Sequence, residues 1–384
     1  MNKNKVHEIF AYLVYRNSLE EGFLENYLGY FDKMMIVIKL LRIVSAPLKY
    51  FGVRKSDYLF YSARFADILT GLGHEAVIFG RPQDFWFAVR HGIPFFPGYD
   101  LIPDLLELFR QDPQLESRQA AKLIAKTVKI FDQLGTKYLI LWNDALFLER
   151  FLIYCARQTG VVSICVQHGI FQSTTDLNFL DGHYADFMLV WGESQRQLFL
   201  QPGFDSAKVK VLGYPYKLPN ASAKRPTCIS ICILGQPWEN CSRYQGEKKK
   251  KIFAQITEQF KSAGIPVFYK PHPYEDRKFF PKNARIVKNN LPDTLSKFDV
   301  FISLTSTALI EASLSGKIAV QFFDEEFEAD DFMDKGYCYS HRDIETFVDF
   351  VQSLREPYQI PEAVISKPAD PTARFLEIID GLYS

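Results

Sequence analysis

Short apolar runs alternate with longer stretches of helical spacing along most of the chain. In the first half, HEAVIFG (74–80) and KYLILWND (137–144) read as strands. ALFLERFLIYCARQTG follows the second run as a helix ending at Gly160. Next come VVSICVQHG (161–169), DFMLVWG (186–192), a helix opening at Glu193 and Ser194, and KVKVLGYP (208–215). Strands alternating with helices predict an α/β fold built on a parallel sheet with helical crossovers.

Residues 214–227 interrupt this alternation with Pro215, Pro219 and Pro226 in a polar setting, which predicts a linker. The alternation then restarts. CISICILGQP (228–237), IPVFYKPHP (265–273), ARIVK (284–288), DVFISL (299–304) and KIAVQFF (317–323) read as strands. Between them lie a basic-faced helix over 246–263, a helical turn in PDTLSKF and a helix in TALIEASLSG (307–316). Two further helices are expected at about 342–355 and 372–382. The organisation predicted is a first domain over 1–213, a linker over 214–227 and a second domain over 228–360. Residues 361–384 form a terminal helix expected to pack back on the first domain. Two such βα domains face a cleft, and ligands in these folds bind outside the carboxyl ends of the strands.

Composition narrows the function classes. The 384 residues are 47% hydrophobic, enough for two cores at roughly 100–200 residues per domain. Formal net charge is zero, so no basic field points to nucleic acid. The many aromatics, with 34 Phe and 20 Tyr, suit both strands and a site that stacks sugars or bases. The six cysteines sit mostly in apolar runs without a CxxC pair, which predicts reduced core thiols in a cytosolic protein. No metal-ligand spacing is visible, and neither metal nor cofactor is expected. The first residues are charged without a following apolar core and cleavage site, and no apolar run reaches the ~20 residues of a spanning helix. A cytoplasmic protein is expected. Residues 31–55 mix apolar and basic positions. The preferred reading is a core helix with a basic rim; the alternative is peripheral contact with an anionic inner membrane face.

Polar residues gather just after the strands. Gly235-Gln236-Pro237 follows the first strand of the second half, and Lys270-Pro271-His272-Pro273 the second. Thr305-Ser306-Thr307 precedes a helix that carries Glu311. A helix start offers free N–H groups, and hydroxyls there add donors for a phosphate. Three consecutive hydroxyls exceed what a simple N-cap uses. Pro271 and Pro273 fix the backbone on both sides of His272, which aims the imidazole. Beside Lys270 it is placed to donate to a phosphate oxygen or to protonate a leaving phosphate. A surface turn with a capping histidine is the alternative.

KPHPYE, GQP and SLTSTALIEA, in this order, resemble the donor half of GT-B glycosyltransferases, which have two Rossmann-like domains facing a cleft. The pattern is similar to that of bacterial sialyltransferases and Kdo transferases, which carry an HP motif followed by a Ser/Thr motif. The resemblance covers roughly residues 137 to 325. It implies that His272 contacts the donor phosphate and helps the nucleotide leave, and that Ser306 and Thr307 hold phosphate. It also implies donor contacts from Gly235, Gln236, Lys270, Pro273, Thr305 and Glu311. The motifs are similar too to those of CDP-glycerol polymerases, and the Glu-Ala helix to that of UDP-sugar epimerases.

The acidic triplet that supplies the general base in the sialyltransferases has no counterpart here. Asp144, at the end of LILWND, and His168, in Gln167-His168-Gly169, are the two candidates. An N-cap for a helix beginning at Ala145 is the competing reading of Asp144. Gly169 permits close backbone approach, and imidazole titrates near neutrality, so His168 suits a base or a phosphate contact. Glu149 lies within a helix, and His183 precedes a strand; both are weaker candidates. The function expected is metal-independent transfer of a sugar from a nucleotide donor to a surface polysaccharide or lipopolysaccharide acceptor, that is, an oligosaccharide or lipid-linked glycan. The donor sugar is expected to be acidic and CMP-activated. The alternatives are a CDP-polyol phosphotransferase, a sugar-nucleotide epimerase and a protein that only binds glycan or nucleotide.

Overall fold

The computed structural model describes residues 55–80, 82–98, 101, 117–144, 147–170, 185–201, 203–218, 230–327 and 329–382. His183, Cys228 and all of the 31–55 segment except Lys55 lie outside them.

One parallel sheet holds β1 (Tyr58–Phe60), β2 (Ala76–Gly80), β3 (Phe95–Pro97), β4 (Tyr138–Leu141), β5 (Val162–Val166), β6 (Phe187–Val190) and β7 (Val209–Val211). Its order is β3-β2-β1-β4-β5-β6-β7. The helices of this half are α1 (Ala66–Leu72), α2 (Pro82–His91), α3 (Ser117–Leu134), α4 (Phe147–Thr159) and α5 (Glu193–Leu200). A second parallel sheet holds β8 (Ile231–Leu234), β9 (Val267–Lys270), β10 (Arg285–Ile286), β11 (Val300–Ser303), β12 (Ile318–Phe322) and β13 (Tyr339–His341). Its order is β10-β9-β8-β11-β12-β13. With it go α6 (Arg243–Ser262), α7 (Leu291–Leu295), α8 (Ala308–Leu314) and α9 (Phe347–Ser353), and the chain then ends its described course in α10 (Pro371–Asp380).

The sheets repeat one topology. In each, the first strand pairs with the second on one side and the fourth on the other, so winding reverses at β1/β4 and at β8/β11. Ligands bind at the carboxyl ends of the strands flanking such a reversal. β2, β8 and β11 are buried throughout. Helices cover both faces, which is why these strands read as continuous apolar runs.

The sequence pattern left out three strands, β1, β3 and β13. Each has only three residues. The helix expected at 342–355 is shorter, Phe347–Ser353, because the chain first turns through 342–346, where Asp343 Oδ1 accepts Glu345 N at 3.0 Å. Local capping sets other ends. Ser242 Oγ accepts Gln245 N at 3.1 Å and starts α6 earlier than its apolar spacing suggested.

Among the described residues, four core clusters flank the sheets, two on each. One crosses between the halves. Trp191 and Tyr214 pack with Cys232, Leu309, Tyr337 and Ile365. The chain before α10 runs across the same region. Ser194 N donates to Ala363 O at 3.0 Å, Ser366 N to Trp191 O at 2.8 Å, and Tyr214 N to Ser366 O at 2.8 Å. Gly192 is required here because a Cβ would overlap the Val364 carbonyl. α10 itself puts Phe375, Ile378 and Ile379 into a core with Phe60, Ile68 and Leu69 of the first half.

Candidate functional site

In the second half, β9 ends at Lys270 and the chain turns through Pro271-His272-Pro273. A buried carboxylate holds this turn. Glu275 Oε2 accepts His272 N at 3.0 Å, and Glu275 Oε1 accepts from Tyr269 OH and from Lys249 Nζ. Lys249 is 0% exposed. It also donates to Gln236 O at 2.7 Å and to Glu239 Oε2 at 2.9 Å. Glu239 Oε1 in turn accepts Asp276 N at 2.7 Å. One buried ammonium and two carboxylates thus tie the loop after β8 to the turn after β9. A buried ion is tolerated only with such complete pairing.

His272 is oriented by its neighbour. Tyr274 N donates to His272 Nδ1 at 3.3 Å, so the neutral ring carries its proton on Nε2 and presents a donor there. Burial lowers the His272 pKa below the ordinary histidine value, and Lys270, Arg64 and Lys249 push the same way against Glu239. Lys270 is lowered too, chiefly by burial. Pro273 is exposed and serves through its fixed backbone.

The other residues of this half divide. Gly235 is a packing requirement, since a Cβ would overlap Glu275 Oε2 and Tyr269 OH. Gln236 binds Thr305: Gln236 Nε2 donates to Thr305 Oγ1 at 2.7 Å, and Thr305 N donates to Gln236 Oε1 at 2.8 Å. This pair fixes the loop after β11 on the loop after β8. Ser306 Oγ accepts Ala308 N at 3.3 Å. Thr307 is the N-cap of α8, but its side chain makes no capping bond. Burial raises Glu311 to about 7, against a hydrogen bond from Tyr214 and the charge of Arg64.

The first half contributes Arg64, Trp142 and His168. Arg64 follows β1 on a turn in which Ser62 has φ 126°, a conformation rare outside glycine. Ser62 Oγ accepts Arg64 N at 3.2 Å and Asp84 Oδ1 accepts Ala63 N at 3.1 Å, which stabilises the turn. The guanidinium lies 4.8 Å from the centre of the Trp142 ring, a cation–π contact. Trp142 meets the His168 ring edge-on at 4.8 Å. Burial, with Arg64 adding to it, holds His168 down at about 4, opposed by a hydrogen bond to the Trp142 backbone. The imidazole is therefore neutral near pH 7, with one nitrogen committed to that backbone.

The two halves meet here. Arg64 acts electrostatically on His168 of its own half and on His272 and Glu311 of the other. A Cβ on Gly169 would lie 3.8 Å from Thr307 Cγ2, so the Gln167-His168-Gly169 turn faces the start of α8. Asp144 is bound elsewhere: it is buried, accepts Ala185 N at 3.3 Å and bonds the Cys165 thiol. Ala145, where the sequence places a helix start, lies outside the described residues, which resume in α4 at Phe147. Glu149 is buried on α4, and its charge also acts on Cys165. Among the described residues, no group of three or more His, Cys, Asp or Glu could hold a metal, and no helix is long and apolar enough to cross a membrane.

Sequence reasoning missed Arg64, Trp142, Lys249, Glu239, Glu275 and Tyr214. Glu275 stood inside KPHPYE, three residues after the histidine, but a single acid carries no periodic signal. Lys249 was hidden in a run of four lysines that reads as a solvated face.

Fold and strand-end residues together define an α/β protein of GT-B type, two Rossmann-like domains facing a cleft. No protein-family model matches the sequence, and no curated protein matches it. Solved structures do share the fold. The Methanocaldococcus jannaschii UDP-GlcNAc 2-epimerase, crystallised with UDP-GlcNAc and UDP, is 12% identical with a TM-score of 0.55, covering 85% of this chain and 99% of that one. A glycosyltransferase from Rickettsia africae is 10% identical with a TM-score of 0.54, covering 86% and 99%. The S. aureus MnaA–UDP structure is 12% identical with a TM-score of 0.51, covering 86% and 96%.

Proposed function

We propose that the chain is a metal-independent GT-B glycosyltransferase that moves a sugar from a nucleotide donor to an oligosaccharide or lipid-linked glycan acceptor. The observation that carries this reading is the meeting of strand ends from both halves. The Gln167-His168-Gly169 turn faces the start of α8, with Trp142 against His168 and the Arg64 guanidinium on Trp142, a cation among groups suited to an anionic ligand. The neighbours support it, since two are solved with UDP and one is described as a glycosyltransferase. The domain division at residues 214–227 belongs to the same reading, with 1–213 on the acceptor side, 228–360 on the donor side and 361–384 returning to the first domain. So does work at a membrane's inner face, where lipid-linked acceptors reside.

In this scheme the acceptor oxygen bonds to the anomeric carbon as the bond from that carbon to the phosphate oxygen breaks. His272 Nε2–H, Lys270 and Arg64 stabilise the departing phosphate. Ser306 and Thr307 add hydroxyls, and Glu311 binds a sugar hydroxyl of the nucleotide. The second nitrogen of His168 takes the acceptor proton. A bound phosphate offsets the Arg64 charge and so raises the basicity of His168. Asp144, already bonded within the first half, is the weaker base. The acidic, CMP-activated sugar suggested by the sequence motifs is the donor proposed.

The test is a donor screen in chelator with CMP-sialate, CMP-Kdo, UDP-GlcNAc and CDP-glycerol, with and without glycan acceptors. Acceptor-dependent nucleotide release supports the transferase. A second reading, sugar-nucleotide epimerisation, is favoured by the epimerase neighbour. Conversion of UDP-GlcNAc to an isomer without any acceptor would replace the first reading with the second.

A further inference from the structure

The residue before His168 turns its side chain inward. Gln167 Oε1 accepts Trp191 N at 2.7 Å, while Nε2 donates to Gly169 O at 2.8 Å and to Gln195 Oε1 at 2.7 Å. Trp191 Nε1 donates back to Gln167 O at 2.8 Å. Gln195, on α5, then donates from Nε2 to Tyr337 OH at 2.8 Å. Tyr337 belongs to the other half, between β12 and β13. Gln167 and Gln195 are each 1% exposed and Tyr337 is 3% exposed.

Three buried side chains thus connect the His168 turn to the second sheet. The chain has a fixed direction. Gln167 Oε1 must face the Trp191 N–H, which leaves its Nε2 to donate; Gln195 must then accept with oxygen and donate with nitrogen. Flipping either amide would set like groups against each other in the interior, where unsatisfied polar groups are costly. Around it, Trp191 and Tyr337 share one apolar core. A shift of the second half that moved the Tyr337 hydroxyl would therefore reach Gln167 and the turn it closes.

We propose that Gln195 and Tyr337 are positioning residues for His168: a buried amide–amide–phenol chain sets the His168 turn in register with the opposite half, so the imidazole is correctly placed only when the halves are docked as here. This rests on the reading of His168 as a ligand-facing group. Gln195 bonds Gln167 directly and Tyr337 bonds Gln195, so their effect reaches the His168 turn through Gln167.

The test uses the full chain and ring-nitrogen NMR of the histidines in Tyr337→Phe, which keeps the ring and removes the hydroxyl. His168 sits beside Arg64 and bonds the Trp142 backbone. Once the turn loosens and water reaches the ring, its titration midpoint is expected to rise by about one pH unit. His272, held by Glu275 on the second sheet, is expected not to move. An unmoved His168 would overturn the proposal. So would equal movement of both histidines, because that reports general loosening. Gln195→Met, which removes the middle of the chain, gives the same readout should Tyr337→Phe fail to fold. With CMP-sialate or UDP-GlcNAc as donor, kcat is expected to fall about tenfold to a hundredfold with KM little changed. In a His168→Ala background the same substitution is expected to cost nothing further; additive losses would also overturn the proposal. The NMR result needs no turnover, so its failure is distinguishable from failure of the transferase reading, which the donor screen tests.

Discussion

The backbone amide of Tyr274 donates to Nδ1 of His272 at 3.3 Å, and this contact fixes which face of the imidazole can donate outward. His272→Ala is expected to lower turnover about 10²- to 10⁴-fold with the fold intact. His272→Gln, which still offers an N–H, should recover part of that loss if the ring acts by donating a hydrogen bond and none if it transfers a proton. Steady-state kinetics on both variants decides, and wild-type activity in His272→Ala would remove this residue from the donor site.

Arg64 is exposed, and its guanidinium lies against Trp142. Arg64→Met should leave stability nearly unchanged and weaken nucleotide binding by about 1.5–3 kcal/mol, roughly ten- to a hundredfold. Calorimetric titration with UDP and CMP measures it. The His168 midpoint should rise in the same variant, because Arg64 lowers it. Unaltered affinity for every nucleotide would count against the cleft as an anion site.

Lys249 pairs with both Glu239 and Glu275 and has no exposure to water. Lys249→Met strands two buried carboxylates and is expected to cost about 3–5 kcal/mol in urea unfolding. Adding Glu275→Gln should restore part of the loss, since one uncompensated charge is removed. A cost below about 1 kcal/mol would mean that water relaxes the network.

His168 and Glu311 give stability opposite slopes against pH. The folded-state value of His168 is held at about 4, below its ordinary 6.5, so the unfolded chain binds more protons between the two and stability falls as pH drops through that range. Glu311 is raised from 4.5 to about 7, so the native state binds more protons there and stability falls as pH rises. Each effect is at most about 3 kcal/mol, and they largely cancel in the overlap. His168→Gln should therefore gain on wild type at pH 4.5 relative to pH 7, and Glu311→Gln should do the reverse. Urea denaturation at both pH values checks the pair; equal shifts at the two values would contradict both assignments.

Much of the architecture was legible because parallel strands buried on both faces must be continuously apolar. VSICV and ICIL announce themselves, whereas the three residues of β1 do not, and with β1 went Arg64. The motif around His272 was legible because its flanking prolines are a local constraint. Glu275 and Lys249, which hold that motif in place, come from different elements and meet only after folding.

By itself the sequence determined two alternating βα units, their strand ends and the polar residues placed there, because periodicity and turn chemistry are local properties. Which of those residues face one another was decided by tertiary structure. Thr305 and Gln236 look like ligand groups along the chain but satisfy each other in the fold. Gln167 looks like part of a surface turn, yet it connects through Gln195 to Tyr337, 142 positions beyond Gln195. A buried polar atom must find its partner wherever the packing puts one, and that partner cannot be read from spacing along the chain.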